Sequence, residues 1–154
     1  MFPFKKILCP TDFSEPSECG LRMANAMAGR FDTEVVVLNV HKPIPHLPTP
    51  RLQASEVVFD VSAYEAQVAE ESRENLATLV DSVFDDEVRT RLEVRMGRPA
   101  DEILAFAEEE KVDAIIIATH GRTGLAHIVF GSVAEKVVRH AKCPVMTVHS
   151  CDKA

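Results

Sequence analysis

The sequence predicts an α/β protein: an open, doubly wound sheet, mainly parallel, with helices on both faces. Two observations carry that prediction. Short β-branched apolar runs alternate with segments of helical period along the chain, and the runs are apolar throughout, as in strands buried on both faces. Right-handed crossovers then limit the topology to doubly wound forms.

Residues 5–11 (KKILCPT) and 33–40 (TEVVVLNV) read as the first two strands. Between them, residues 14–30 place Cys19, Met23, Ala26 and Met27 at helical spacing, with Ser14 as N-cap and Pro16 in the first turn. Residues 41–58 hold four of the nine prolines and read as an extended loop insertion. A helix follows over 60–83, with Tyr64, Val68, Leu76, Leu79, Val80 and Val83 as its apolar stripe. Residues 87–96 (EVRTRLEVRM) alternate charged and apolar side chains, which predicts a strand near a sheet edge. Gly97, Arg98 and Pro99 end it. A third helix over 99–110 starts with proline and aligns Ile103, Phe106 and Ala107. Residues 113–119 (DAIIIAT) form the most apolar strand, 132–141 the last helix and Pro144 to His149 the last strand. Five strands and four helices make one expected domain over 1–154, with a polar tail at 150–154.

Composition narrows the function. With 24 carboxylates against 17 Lys and Arg, the net charge is −7, which argues against nucleic acid or an anionic bilayer, since both are bound chiefly through cations. A 46% hydrophobic content excludes a disordered chain. The longest apolar runs, such as Ala114 to Ala118, fall far short of the roughly 20 residues that span a bilayer. The opening MFPFKK has no apolar signal stretch, so a cytoplasmic setting is expected. The four cysteines show no CxxC spacing and are expected to be ordinary thiols, with a Cys9–Cys19 redox pair as the alternative. The six histidines lack paired ligand spacing, so no metal cage is expected.

The segment IIIATHGRTGLAHIVFGSV, Ile115 to Val133, carries the chemistry. A buried strand runs into a loop with Gly121, Gly124 and Gly131, and Ser132 opens a helix. Glycine lets backbone N–H groups approach an anion, and a helix N-terminus favours phosphate. Neither GxxxxGK[ST] nor GxGxxG is present. A plain structural reading stands beside this one: Ser132 and Glu135 spell an S-x-x-E capping box.

ATHGRTGLAHIVFGSVAEKVVRHAKCPVMTV resembles the C-terminal signature of the universal stress protein family, and KKILCPTDFSEPSECGLRMANAMA resembles its N-terminal one. VVVLNVH and VRMGRPADEIL also fit, so the resemblance spans residues 4–149. It implies strand order 3-2-1-4-5 in an adenine-nucleotide alpha-hydrolase-like fold. It further implies ATP, with Mg²⁺ or Mn²⁺ bridging its phosphates. The family's ATP motif is Gly, two residues, Gly, nine residues, then Gly and Ser or Thr. Here Gly121 fills the second glycine, Gly131 and Ser132 the closing pair, and Ala118 the first position, a departure from the pattern.

The resemblance places an acidic residue beside the adenosine, here Asp12 after Pro10 and Thr11, and sets the backbone of Val40 at the adenine edge. His120, Arg122, Gly124 and Val133 complete the expected site. It also implies a homodimer through the last strand, with Val145 and Val148 suited to that use, and a protein partner left unnamed. The alternatives are a nucleotide-free dimer and a slow ATPase, the latter without a dedicated Lys or a persuasive base.

Overall fold

The computed structural model describes residues 3–43, 60–120 and 130–149. In chain order the elements are β1 (Lys6–Thr11), α1 (Glu15–Ala28), β2 (Glu34–His41), α2 (Val61–Val83), β3 (Thr90–Met96), α3 (Pro99–Glu109), β4 (Ala114–Ala118), α4 (Ser132–His140) and β5 (Val145–Val148). The strands form one parallel sheet in the order β3-β2-β1-β4-β5.

Strand alternation divides the core in two. Ile7, Cys9, Val35, Val37 and Ile116 face α1 and α2. Leu8, Val36, Leu38, Ile115 and Ile117 face α3 and α4, where Phe106 and Val137 fill the layer. Burial on both sides explains why β1, β2 and β4 read as unbroken apolar runs.

The helix starts follow the expected chemistry. Ser14 caps α1 by accepting from Ser17 N, and Asp60 caps α2 by accepting from Ala63 N. Pro99 begins α3. On α1 the expected stripe is displaced: Leu21, Ala24, Ala28, Ser17 and Gly20 are buried with Cys19, whereas Ala26 is exposed and Met23 is 42% exposed. Small residues let the helix axis approach the sheet closely, so the small face wins over the larger Met face. On α2 burial begins at Ser72 and continues through Leu76, Val80 and Val83, leaving Tyr64 43% exposed. The reason is length: a helix of 23 residues runs about 34 Å against about 23 Å for a strand of 7 residues. Its first turns therefore overhang the sheet.

β3 lies at the sheet edge, as its alternation predicts. Arg91 and Arg95 lie over the Phe106 ring, at 5.7 and 4.6 Å from its centroid. Their guanidinium groups pair with Glu110 (2.8 Å) and Glu109 (2.6 Å). Among the described residues the cysteines differ from expectation at Cys19. Cys9 and Cys143 are free thiols; burial pushes Cys9 far above the usual thiol range. Cys19 is disulfide-bonded, to a sulfur other than that of Cys9, so the Cys9–Cys19 pair is not formed. Among the described residues no helix is long and apolar enough to cross a membrane.

Candidate functional site

In an open α/β sheet a ligand crevice forms outside the carboxyl ends of the strands where the strand order reverses. Here the reversal lies between β1, whose crossover leads to β2, and β4 on its other side. The residues there come from the β1–α1 turn, the end of β2, the end of β4 and the start of α4.

The register fixes which side each residue faces. Asn39 pairs with Thr11, and Ala118 with Val148; continuing the Leu8–Ile115 pairing brings Thr11 level with Ala118. Asn39, Thr11, Ala118 and Val148 thus form one row on the α1 and α2 side. The next row, with Val40, Asp12 and Thr119, belongs to the α3 and α4 side, where Val40 packs on the core. The buried Pro10 shares that side with Leu8.

This parity decides which side of the sheet the Ala118 methyl takes. The residue ends β4 with ordinary negative φ, so no left-handed backbone demands glycine there. Its methyl points toward α1, where Gly20 lies so close that a Cβ on it would stand 3.8 Å from Ala118 N. The methyl is therefore on the face opposite α4.

α4 is held against the end of β4. Gly131 is its N-cap and donates to Thr119 O at 2.7 Å. A Cβ on Gly131 would stand 3.2 Å from the same carbonyl, so a side chain there crowds the backbone. Ser132 is the first helical residue and exposed, Val133 is half-buried, and no side chain caps the helix. The expected capping box does not form: the cap falls one residue earlier, and Glu135 pairs with Arg139 at 2.8 Å. A glycine cap, a close backbone approach and first-turn amides are the features that suit a phosphate group. Half-buried His120 bonds through Nδ1 to Thr119 Oγ1 at 3.0 Å, and its ring meets His149 edge-on with centroids 6.3 Å apart. Gly121, Arg122 and Gly124 lie outside the described residues.

At the other wall, Asp12 Oδ1 accepts from Ser14 N at 3.1 Å and from Ser14 Oγ. Between them Phe13 has φ 62°, a left-handed conformation that is strained for an aromatic residue. Behind this turn stand four buried polar side chains: Thr11, which the sequence reading placed at the site, and Ser17, Asn39 and Ser72, which it missed. Asn39 had a visible signal, a lone amide in the apolar run VVVLNV, since a buried amide must find partners. Ser72 had none. A cleft of about 310 Å³ between the end of α3 and the α4–β5 turn lies at the opposite, amino edge of the sheet. There Lys142 pairs with Glu108 at 2.9 Å, and burial raises the Cys143 thiol.

Comparison with known proteins places this geometry. The universal stress protein family profile matches residues 3–149. This chain belongs to the universal stress protein family. Universal stress protein MJ0531 of Methanocaldococcus jannaschii is 36% identical over 145 residues, covering 94% of this chain and 82% of that protein. Universal stress protein MJ0577 of the same organism is 32% identical over 154 residues, covering 94% of each. The solved structure of MJ0577 superposes with a TM-score of 0.79 at 30% identity, covering 97% of this chain and 98% of that one. A universal stress protein from Archaeoglobus fulgidus, solved in complex with dAMP, superposes with a TM-score of 0.58 at 25% identity, covering 96% of this chain and 98% of that one. The family's five-stranded parallel architecture in the order 3-2-1-4-5 is the fold described above.

Proposed function

We propose that this chain is a cytoplasmic, single-domain homodimer that binds ATP at the carboxyl edge of its sheet and acts as a nucleotide-responsive regulator. The observation that carries the reading is the start of α4. A glycine cap lies tight against Thr119 O, no side chain caps the first turn, and the Ala118 methyl is turned to the other side of the sheet. The dAMP complex of the Archaeoglobus fulgidus relative supports an adenine nucleotide as the ligand.

In this reading the backbone of Val40 meets the adenine edge and Asp12 holds the ribose, framed by Pro10 and Thr11. Gly121, Gly124, Gly131 and Ser132 take the phosphates with Arg122, and Ala118, His120 and Val133 line the approach. Among the described residues no cluster of three His, Cys, Asp or Glu side chains is placed to hold a metal. Mg²⁺ or Mn²⁺ would therefore arrive on the phosphate oxygens, hard donors that suit it, and neutralise part of the triphosphate charge. Binding is the function and any hydrolysis is slow: Oδ1 of Asp12 is committed to Ser14, and Nδ1 of His120 to Thr119.

Calorimetric titration with Mg·ATP tests the reading. Saturable binding is expected; no heat at about 100 μM protein would overturn it. A second reading rests on Ala118 in place of the motif glycine: a nucleotide-free dimer that works through a protein partner. It is favoured if the wild type binds no nucleotide and Ala118→Gly restores binding.

A further inference from the structure

A continuous set of hydrogen bonds runs from α2 to the Asp12 turn. Ser72 Oγ donates to Asn39 Oδ1 at 2.9 Å, and Asn39 Nδ2 donates to Thr11 O at 2.8 Å. Ser17 Oγ donates to Ser14 O at 2.8 Å. A hydroxyl has one proton, so in the 2.9 Å contact between Thr11 Oγ1 and Ser17 Oγ it is Thr11 that donates. Thr11 Oγ1 in turn accepts from Phe13 N at 3.1 Å, and Ser14 reaches Asp12 Oδ1. All the donor and acceptor assignments are mutually consistent, and Thr11, Ser17, Asn39 and Ser72 are each at least 94% buried.

A strained residue persists only where its surroundings over-determine it. Phe13, at φ 62°, sits at the end of this relay. Its N–H is held by Thr11 and its two neighbours are bonded to each other. The Asn39 amide spans the sheet surface between α2 and the last carbonyl of β1, anchoring the relay at its far end.

We infer that Asn39 and Ser72 are positioning residues, which hold the Asp12 carboxylate in register for the ribose hydroxyls of a bound nucleotide without touching the ligand. The inference rests on the proposed nucleotide site and extends it to residues of β2 and α2. It predicts that cutting the relay lowers discrimination for ribose hydroxyls rather than affinity in general.

The test uses Ser72→Ala and Asn39→Leu, with Ser82→Ala, an exposed serine of the same helix, as control. Two quantities are measured: the affinities for ATP and for 2′,3′-dideoxy ATP, and the amide resonances of Phe13 and Ser14 in the ligand-free protein. Ser72→Ala and Asn39→Leu should each weaken ATP binding about tenfold, the worth of one well-placed polar contact. Dideoxy ATP should change little, and both amides should shift; Ser82→Ala should alter neither. Equal losses for both nucleotides would mark a merely structural role and overturn the inference. So would unmoved amides in Ser72→Ala, which is the milder change if Asn39→Leu fails to fold. A wild type that binds neither nucleotide would defeat the proposed function instead, leaving the amide shifts to decide the relay.

Discussion

Gly131 and Ala118 stand at the two ends of one loop, and the structure assigns them opposite tolerances. Gly131 approaches Thr119 O so closely that a Cβ would stand 3.2 Å away. Gly131→Val should therefore push the start of α4 off β4 and weaken Mg·ATP binding by at least about tenfold in calorimetry. Ala118 has an ordinary strand conformation and faces α1. Ala118→Gly should change that affinity less than about threefold, while costing about 0.5–1 kcal/mol in urea unfolding because glycine is freer in the unfolded chain. The alanine departs from the family motif in the sequence, yet the side of the sheet its methyl takes was not legible there: it depends on strand parity, which only the register settles.

At the scale of elements, α3 is bound to its neighbours by ion pairs with a definite pH signature. The Lys136 ammonium holds Asp101 below the ordinary carboxylate value of 3.8, the Arg95 guanidinium holds Glu109 below 4.5, and Arg91 with Lys6 holds Glu110 below 4.5. A carboxyl group with a lowered folded-state pKa stabilises the fold above its unfolded value and loses that contribution as the pH falls through the folded one. The urea midpoint should hold from pH 7 down to about 5 and drop below about 4. Arg95→Met should flatten part of that drop, and added salt should do the same, since these pairs are exposed and screened. The acidic run Glu108 to Glu110 was plain in the sequence. Its pairing with β3 arginines needed the sheet order, which sets β3 beside β2 and under α3.

For the whole molecule the proposed dimer is placed at the sheet edge formed by β5. The carbonyls of Pro144 and Val148 accept from β4, so by alternation the backbone groups of Val145 and Thr147 point away from the sheet and are available to a second chain. The side chains divide differently: Val145 and Val148 pack on the chain's own two cores, and Met146, 39% exposed, is the apolar group at the surface. Thr147→Pro removes an outward donor while sparing the bonds to β4, a place where proline is tolerated. It should convert the proposed dimer to a monomer in light scattering after gel filtration with little change in thermal midpoint. A variant that stays dimeric would move the interface elsewhere.

The sequence by itself determined the alternation of elements, the burial of β1, β2 and β4 on both faces, the edge character of β3 and the glycine-bearing turn before α4. These are local properties, written in side-chain period and in the few residues that can turn a chain. The tertiary structure alone decided which face of α1 is buried, that Gly131 and not Ser132 caps α4, which way Ala118 points, and that Ser72 and Asn39 meet behind the Asp12 turn. Each of these depends on a register between segments distant in the chain, and a hydrogen bond between residues 33 positions apart leaves no periodicity to read.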